Sequence, residues 1–311
     1  MSTIAMLFPG QGSQAVGMGK DFYDSGDHPA CRSRFEEADK ILGRGLTKII
    51  FEGPVEELTK TQNTQPALFV VEAVMTDLLS ASGVTPMCAA GHSLGEYSAL
   101  YAAGVISFED GARLVAARGE AMAAAGQANP GAMAAVLGMD RDKIIEVIAQ
   151  VKSGIVVAAN ENAPEQTVIS GETAAVNEAC ERLKAAGAKR AMPLPVSGAF
   201  HSPLMQPAAE KLAEALKSVK FSSPRCPVIA NVTAKPETDP VLMKDLLIKQ
   251  LVSPVRWVDS MTALSAQSPA HCAEIGPGAV LKGLAKKCVP EMNILSCDSV
   301  NNLYSIVEQL K

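Results

Sequence analysis

The residues Gly91-His92-Ser93-Leu94-Gly95 fit G-x-S-x-G, the pattern of a serine nucleophile set on a sharp turn from a strand into a helix. A serine there is held in strained backbone geometry that pushes its hydroxyl out of the sheet, and glycines two positions either side avoid a clash. Val84-Thr-Pro-Met-Cys-Ala-Ala90 leads in as a short apolar strand, and Gly95 to Tyr101 continues with helix formers. The turn aims the first amides of the helix at whatever the serine attacks, which makes the N–H of Leu94 a candidate oxyanion donor. The competing reading is a tight turn with an incidental serine.

A serine nucleophile needs a base, and the chain has four histidines. His201 lies in Pro195-Val-Ser-Gly-Ala-Phe-His201-Ser-Pro203, where the chain is expected to return from one domain to another, and such junctions border ligand clefts. It is therefore the candidate base. His28 beside Pro29, His271 at the head of a strand-like run and His92 inside the turn read as structural. A hydrolase turn of this kind also asks for an acid between serine and histidine in chain order. Asp110, Asp140 and Glu161 are available there, none in a recognisable context.

Two further stretches carry chemistry. The apolar run Ile4 to Phe8 ends in Gly10-Gln11-Gly12-Ser13-Gln14, and loops at the C-terminal ends of parallel strands are where sites are built. Gly10, Gly12 and Ala15 also satisfy G-x-G-x-x-A, but residues 28 to 46 are mostly charged and helix-like. No second strand brings the acidic residue that a dinucleotide cradle requires. The loop is expected to turn exposed N–H groups, with Gln11, toward the Ser93 pocket; the rival reading is a surface turn. Ser107-Phe-Glu-Asp110 resembles a capping box and opens an Ala-rich helix. Arg118 sits on or beside its apolar stripe of Leu114, Val115 and Met122, so it either snorkels to solvent or meets an anion.

The elements that must position these groups can be read from composition and rhythm. Of 311 residues 48% are hydrophobic but only 4% aromatic, and the surplus of Ala, Val and Leu suits helices packed on a parallel sheet. Helical patterns run at 30–44, 55–59, 65–80, 204–218, 241–251, 258–266 and 280–287, with strands at 227–232 and 271–275. Gln127-Ala-Asn-Pro-Gly131 reads as a linker, and beyond it the pattern is strand 132–137, helix 141–151, strands 155–159 and 166–169, helix 173–186 and strand 189–196. That βαββαβ order is a ferredoxin-like unit, with Asn160 to Gln166 expected as a turn-rich loop. The expected domains are a small one at 129–198, inserted in a larger one made of 1–128 and 199–311. A net charge of −5 gives no general attraction to nucleic acid or anionic membranes. Seven cysteines without a CxxC pair point to buried thiols in a reducing cytoplasm, not to disulfides or a metal site. The N-terminus reads as lacking a signal peptide, and no apolar run is long enough for a membrane span.

Gly10-Gln-Gly-Ser-Gln14, Gly91-His-Ser-Leu-Gly-Glu96, Ala117-Arg-Gly-Glu120, Gly198-Ala-Phe-His-Ser202 and Gln250 occur in order across one chain. Together they resemble, from end to end, the malonyl-CoA:acyl carrier protein transacylases of bacterial type II fatty acid synthesis. The resemblance implies an α/β-hydrolase-like large domain with a parallel sheet and a ferredoxin-like insert. It implies Ser93 as the acylated nucleophile, His201 as its base, Arg118 as the anchor of the malonyl carboxylate, and the backbone amides of Gln11 and Leu94 as the oxyanion hole. Gln250 would orient the histidine through its main-chain carbonyl, which removes the need for an acid. Phe200, in Ala199-Phe-His201, would crowd the α-carbon of the acyl group and favour malonyl over methylmalonyl. Neither metal nor cofactor is implied beyond malonyl-CoA as substrate. The expected partner is an acidic acyl carrier protein, guided by basic residues such as Lys189, Arg190, Lys286 and Lys287, and the enzyme is expected to be a cytoplasmic monomer. Two other readings share these features: an ester or thioester hydrolase, which needs neither Arg118 nor the insert, and a non-catalytic carrier-protein-binding subunit.

Overall fold

A computed structural model describes residues 2–26, 28–196 and 198–310. Met1, at the head of the N-terminus, and Ser197, in the 195–203 junction, lie outside them. The apolar run at the start of the chain forms β1 (Ser2–Phe8). After it come α1 (Lys20–Ser25), α2 (Ala30–Leu42), α3 (Leu46–Glu52), α4 (Val55–Leu58), α5 (Thr61–Ala81), β2 (Val84–Gly91), α6 (Gly95–Ala102) and α7 (Phe108–Ala128). The middle of the chain is β3 (Gly131–Leu137), α8 (Arg141–Ile148), β4 (Val156–Ala163), β5 (Gln166–Glu172), α9 (Thr173–Ala185) and β6 (Arg190–Pro193). A 3₁₀ turn at Pro203–Met205 leads to α10 (Gln206–Lys217), β7 (Val228–Ile229), β8 (Pro236–Glu237), α11 (Pro240–Gln250) and α12 (Trp257–Ser265). The chain closes with β9 (Cys272–Ile275), α13 (Val280–Cys288), β10 (Ile294–Cys297) and α14 (Val300–Gln309).

The larger sheet has the order β10-β9-β1-β2-β7-β8, parallel except for the edge strand β8. β1 is central, which is why Ile4 to Phe8 are all buried and the run is apolar without alternation. The second sheet, β4-β5-β3-β6, is antiparallel throughout. With α8 and α9 on it, this is the ferredoxin-like arrangement, closed around Val136, Ile144, Ile169, Val176 and Leu183. The fold is thus the mixed α/β, two-sheet architecture expected from the sequence.

Register decides where the site forms. Phe8 pairs with Gly91, so β1 and β2 end level, and the Pro9-Gly10-Gln11 loop leaves the sheet beside the Ser93 turn. The His92 N–H donates to the Phe8 carbonyl at 2.9 Å. α6 then starts so close to β1 that a Cβ on Gly95 would lie 2.1 Å from the Phe8 carbonyl oxygen. Behind it, α5 tolerates Pro66 because the Gln62 carbonyl, which the missing N–H leaves free, accepts from Arg44 Nη2 at 2.6 Å. α7 is capped as its sequence suggests, with Ser107 Oγ accepting the Asp110 N–H at 3.0 Å.

Several elements depart from expectation. Asn160 to Ala163 belongs to β4 and not to a loop, because it pairs with β5 through Asn160–Val168, Glu161–Thr167 and Ala163–Gln166, and the large domain adds a second partner: the Glu161 N–H donates to Val255 O, and the Val255 N–H to Ala159 O, both at 2.9 Å. Polar residues that read locally as turn formers are held extended from both sides. The strand expected at 227–232 is only Val228–Ile229, after which the chain turns at Asn231. α1, α3, β10 and α14 had no counterpart in the sequence reading; they are short, and only packing against the body of the protein selects them. Gly95→Ala is expected to destabilise the fold by about 3 kcal/mol or more through overpacking against β1, read as a lowered urea midpoint by circular dichroism; an unchanged midpoint would show that the turn can move aside.

Candidate active site

Ser93 lies between β2 and α6 with φ of 53°, and His201 lies just before the 3₁₀ turn with φ of 56°. Both are non-glycine residues in left-handed geometry, a strain that persists only where the surroundings hold it. For His201 the hold comes from Ser202, whose Oγ donates to Ala199 O at 2.6 Å and accepts the Leu204 N–H at 3.3 Å. For Ser93 it comes from Asn231. Its Oδ1 accepts the Ser93 N–H and its Nδ2 donates to Gly91 O, each at 2.7 Å.

The two strained residues meet, with Ser93 Oγ 2.8 Å from His201 Nε2. His201 Nδ1 is 2.9 Å from the main-chain carbonyl of Gln250, the last residue of α11. A carbonyl only accepts, so Nδ1 carries the proton and Nε2 presents its lone pair to the serine hydroxyl. Burial, reinforced by the nearby positive charge of Arg118, lowers the His201 pKa from 6.5 to about 3. The imidazole is therefore a neutral acceptor throughout the neutral range.

Arg118 is 1% exposed, so of its two readings the snorkelling one is excluded. Nη1 donates to Gln65 Oε1 at 2.8 Å, and Nη2 donates to Ser93 Oγ at 3.0 Å and to Gln250 Oε1 at 2.9 Å. All three acceptors are neutral, and Nε has no partner among the described residues. Burial lowers the Arg118 pKa, opposed by Tyr97, whose ring lies 5.5 Å from the guanidinium carbon, and by Glu96. A buried cation without a carboxylate in contact, touching a serine hydroxyl, is chemically suited to receive an anion beside that hydroxyl.

Ser93, His201, Arg118, Gln11, Leu94 and Phe200 all line one cavity of about 190 Å³, closed from the small domain by Asn160, Asn162 and Val168. A wider cleft of about 570 Å³ adjoins it at Gln11 and Val196. The main-chain N–H groups of Gln11 and Leu94 are not spent on other acceptors among the described residues. Gly10 brings its loop against the serine turn, and a Cβ there would lie 2.3 Å from His92 O.

The three candidate acids sit elsewhere. Asp110 accepts from the Ser107 hydroxyl at 2.8 Å in the first turn of α7, Asp140 caps α8, and Glu161 pairs with Arg141 at 3.0 Å. Lys189, Arg190, Lys286 and Lys287 lie outside the walls of the Ser93 cavity; Lys287 donates to Gln166 Oε1 at 2.9 Å. Four site residues escaped the sequence reading. Gln65 and Asn231 lie in stretches without a motif, and Asn162, which reaches His92 Nε2 at 2.8 Å, was hidden in an expected loop. Glu96 stands at the end of the Gly91-to-Glu96 motif, which carries the resemblance but gives the residue no role of its own. Among the described residues no group of three or more His, Cys, Asp or Glu could hold a metal ion, and no helix is long and apolar enough to cross a membrane.

Comparison with known proteins agrees with this architecture. Residues 5–305 match the acyl transferase domain family. The chain is 47% identical to the malonyl CoA-acyl carrier protein transacylase of Bacillus subtilis (strain 168), over 100% of this chain and 98% of that protein. It is 43% identical to the protein of that name from Escherichia coli (strain K12), over 99% and 100%. A malonyl-transacylase solved in complex with its type II PKS acyl-carrier protein superposes with a TM-score of 0.95 at 41% identity, over 99% and 100% of the two chains. An acyl carrier protein S-malonyltransferase from Vibrio cholerae gives 0.94 at 43% identity, over 98% and 100%. Matched end to end in sequence and in fold, the chain belongs to the malonyl CoA-acyl carrier protein transacylases of the acyl transferase family.

Proposed function

We propose that the protein moves the malonyl group of malonyl-CoA to the phosphopantetheine thiol of an acyl carrier protein through a malonyl ester on Ser93. The observation that carries this reading is the buried Arg118 guanidinium 3.0 Å from Ser93 Oγ, which suits an acyl group with a free carboxylate at its far end. Ser93 Oγ attacks the thioester carbonyl as its proton passes to His201 Nε2, and the oxyanion is received by the N–H groups of Gln11 and Leu94. The C–S bond breaks, the proton is returned to the departing CoA sulfur, and malonyl-serine remains. The carrier thiol reverses these steps: its proton goes to His201, its sulfur attacks the ester carbonyl, and Ser93 recovers its hydroxyl. Every step is acyl substitution with proton transfer, so no metal or cofactor is invoked.

Gln250 fixes the imidazole tautomer through its carbonyl, and Phe200 walls the acyl end of the cavity, limiting branched acyl groups by the modest margin that one methyl allows. The acceptor in this reading is an acidic carrier protein. Ser93, His201, Arg118 and Gln250 come from one chain, which supports the monomer as the working unit. The seven free cysteines, six of them buried, support a reducing cytoplasm.

Incubation with malonyl-CoA should add one malonyl group to Ser93, detected by intact and peptide mass, and none to the Ser93→Ala variant; free malonate released without an adduct would point to a hydrolase instead. Arg118→Ala should lower kcat/KM for malonyl-CoA by about 100-fold, or about 3 kcal/mol, while acetyl transfer from acetyl-CoA increases; unchanged malonyl kinetics would refute the anchor. The depressed His201 pKa fixes the sign of the pH dependence. The base is lost only when pH falls toward about 3, so single-turnover acylation at saturating malonyl-CoA should show no break at 6.5. A rate that halves at 6.5 would mean that His201 titrates as an ordinary imidazole.

A further inference from the structure

Arg118 has no carboxylate in contact, yet a carboxylate stands one amide away. Glu96 is 3% exposed, and its Oε2 accepts from Gln250 Nε2 at 2.8 Å and from the Asn231 main-chain N–H at 3.0 Å. The other end of the Gln250 amide, Oε1, accepts from Arg118 Nη2 at 2.9 Å. The amide dipole is thus aligned between cation and carboxylate, positive end to Glu96 and negative end to Arg118, an arrangement that lets one neutral group couple two buried charges. The same Nε2 also donates to Ser93 O at 3.0 Å, and Asn231 clamps the Ser93 turn.

We propose that Glu96 is a positioning residue: it is the resident counter-charge of Arg118, acting through Gln250, and it takes up a proton from solvent when the malonyl carboxylate reaches Arg118. The reason is charge balance. With the site empty, the cluster holds one cation and one carboxylate. Malonyl binding adds a second carboxylate to a dry site, where an uncompensated negative charge is costly, and protonation of Glu96 restores neutrality. Acetyl, which brings no charge, calls for no proton. The surroundings leave Glu96 as the group able to respond. Facing it are Arg118 from α7 and Tyr97 from its own helix, a phenol raised by burial far above neutral. His201 lies beyond Gln250 and is held neutral. β1, β2 and β7 bring no charged side chain to α6, and burial raises the carboxyl of Glu72 on α5 well above the usual carboxylate range, with no influence of Arg118 on it. Burial, offset by the Asn231 and Gln250 hydrogen bonds and by Arg118, raises the Glu96 pKa from 4.5 to about 7, where a small change in nearby charge alters its ionisation.

This inference rests on the malonyl-transfer reading, and the test separates the two. In a Ser93→Ala background, which removes the chemistry, malonyl-CoA and acetyl-CoA are titrated calorimetrically at about pH 8 in buffers of different ionisation enthalpy. Malonyl-CoA is expected to take up close to one proton more than acetyl-CoA, and its affinity to fall up to tenfold per pH unit above about 7. Adding Glu96→Gln, which keeps shape and an acceptor, should abolish the extra proton and flatten the pH dependence. Equal proton uptake for the two ligands would overturn the proposal without any need for the second variant, as would unchanged excess uptake in Glu96→Gln. Failure of malonyl-CoA to bind Ser93→Ala, with no malonyl adduct on the wild type, would instead remove the transfer reading and this inference with it.

Discussion

The hydrogen bond from His201 Nδ1 to the carbonyl of Gln250 joins residues 49 apart in sequence, and the order of the site depends on it. A carbonyl in that position fixes the tautomer without placing a negative charge beside the ring. Burial and Arg118 can then hold the imidazole neutral, whereas a carboxylate would favour imidazolium. A guanidinium can share the pocket because the imidazole carries no charge to repel it. Gln250 also ties the serine to the arginine, since its side chain accepts from Arg118 and donates to Ser93 O.

The arrangement is compact because side-chain hydrogen bonds hold two irregular segments, one from a distant residue and one from within the segment. Ser93 and His201 both adopt left-handed geometry. Asn231, which comes just after the short strand β7, clamps the serine turn at both Gly91 and Ser93. Ser202 ties down the turn that carries His201. The stability of the body of the protein, with β1 buried on both faces, is what offsets the strain at the site.

The two domains meet through main-chain bonds between Val255 and the 159–161 segment and through the side-chain contact between Asn162 and His92. Asn160, Asn162 and Val168 of the small domain form one wall of the Ser93 cavity.

The sequence by itself determined what depends on local chemistry and period. The serine turn was legible because both flanking positions need glycine, Gly95 where the helix meets the end of β1 and Gly91 where the strand meets the Gly95–Glu96 backbone; the capped start of α7 and the βαββαβ order were legible from side-chain pattern. Ser93 and His201 could be paired from the serine turn and the domain junction, whereas Arg118 and Gln250 joined them only through the motif resemblance. Tertiary structure alone decided whether Arg118 turned outward or inward, because a helical stripe gives a face and not what covers it. It extended Asn160 to Ala163 into a strand by pairing on both sides, with β5 and with Val255, nearly a hundred residues away in the chain. It also brought Gln65, Glu96 and Asn231 to the site, because their roles rest on hydrogen bonds to distant residues, whose existence no local spacing can signal.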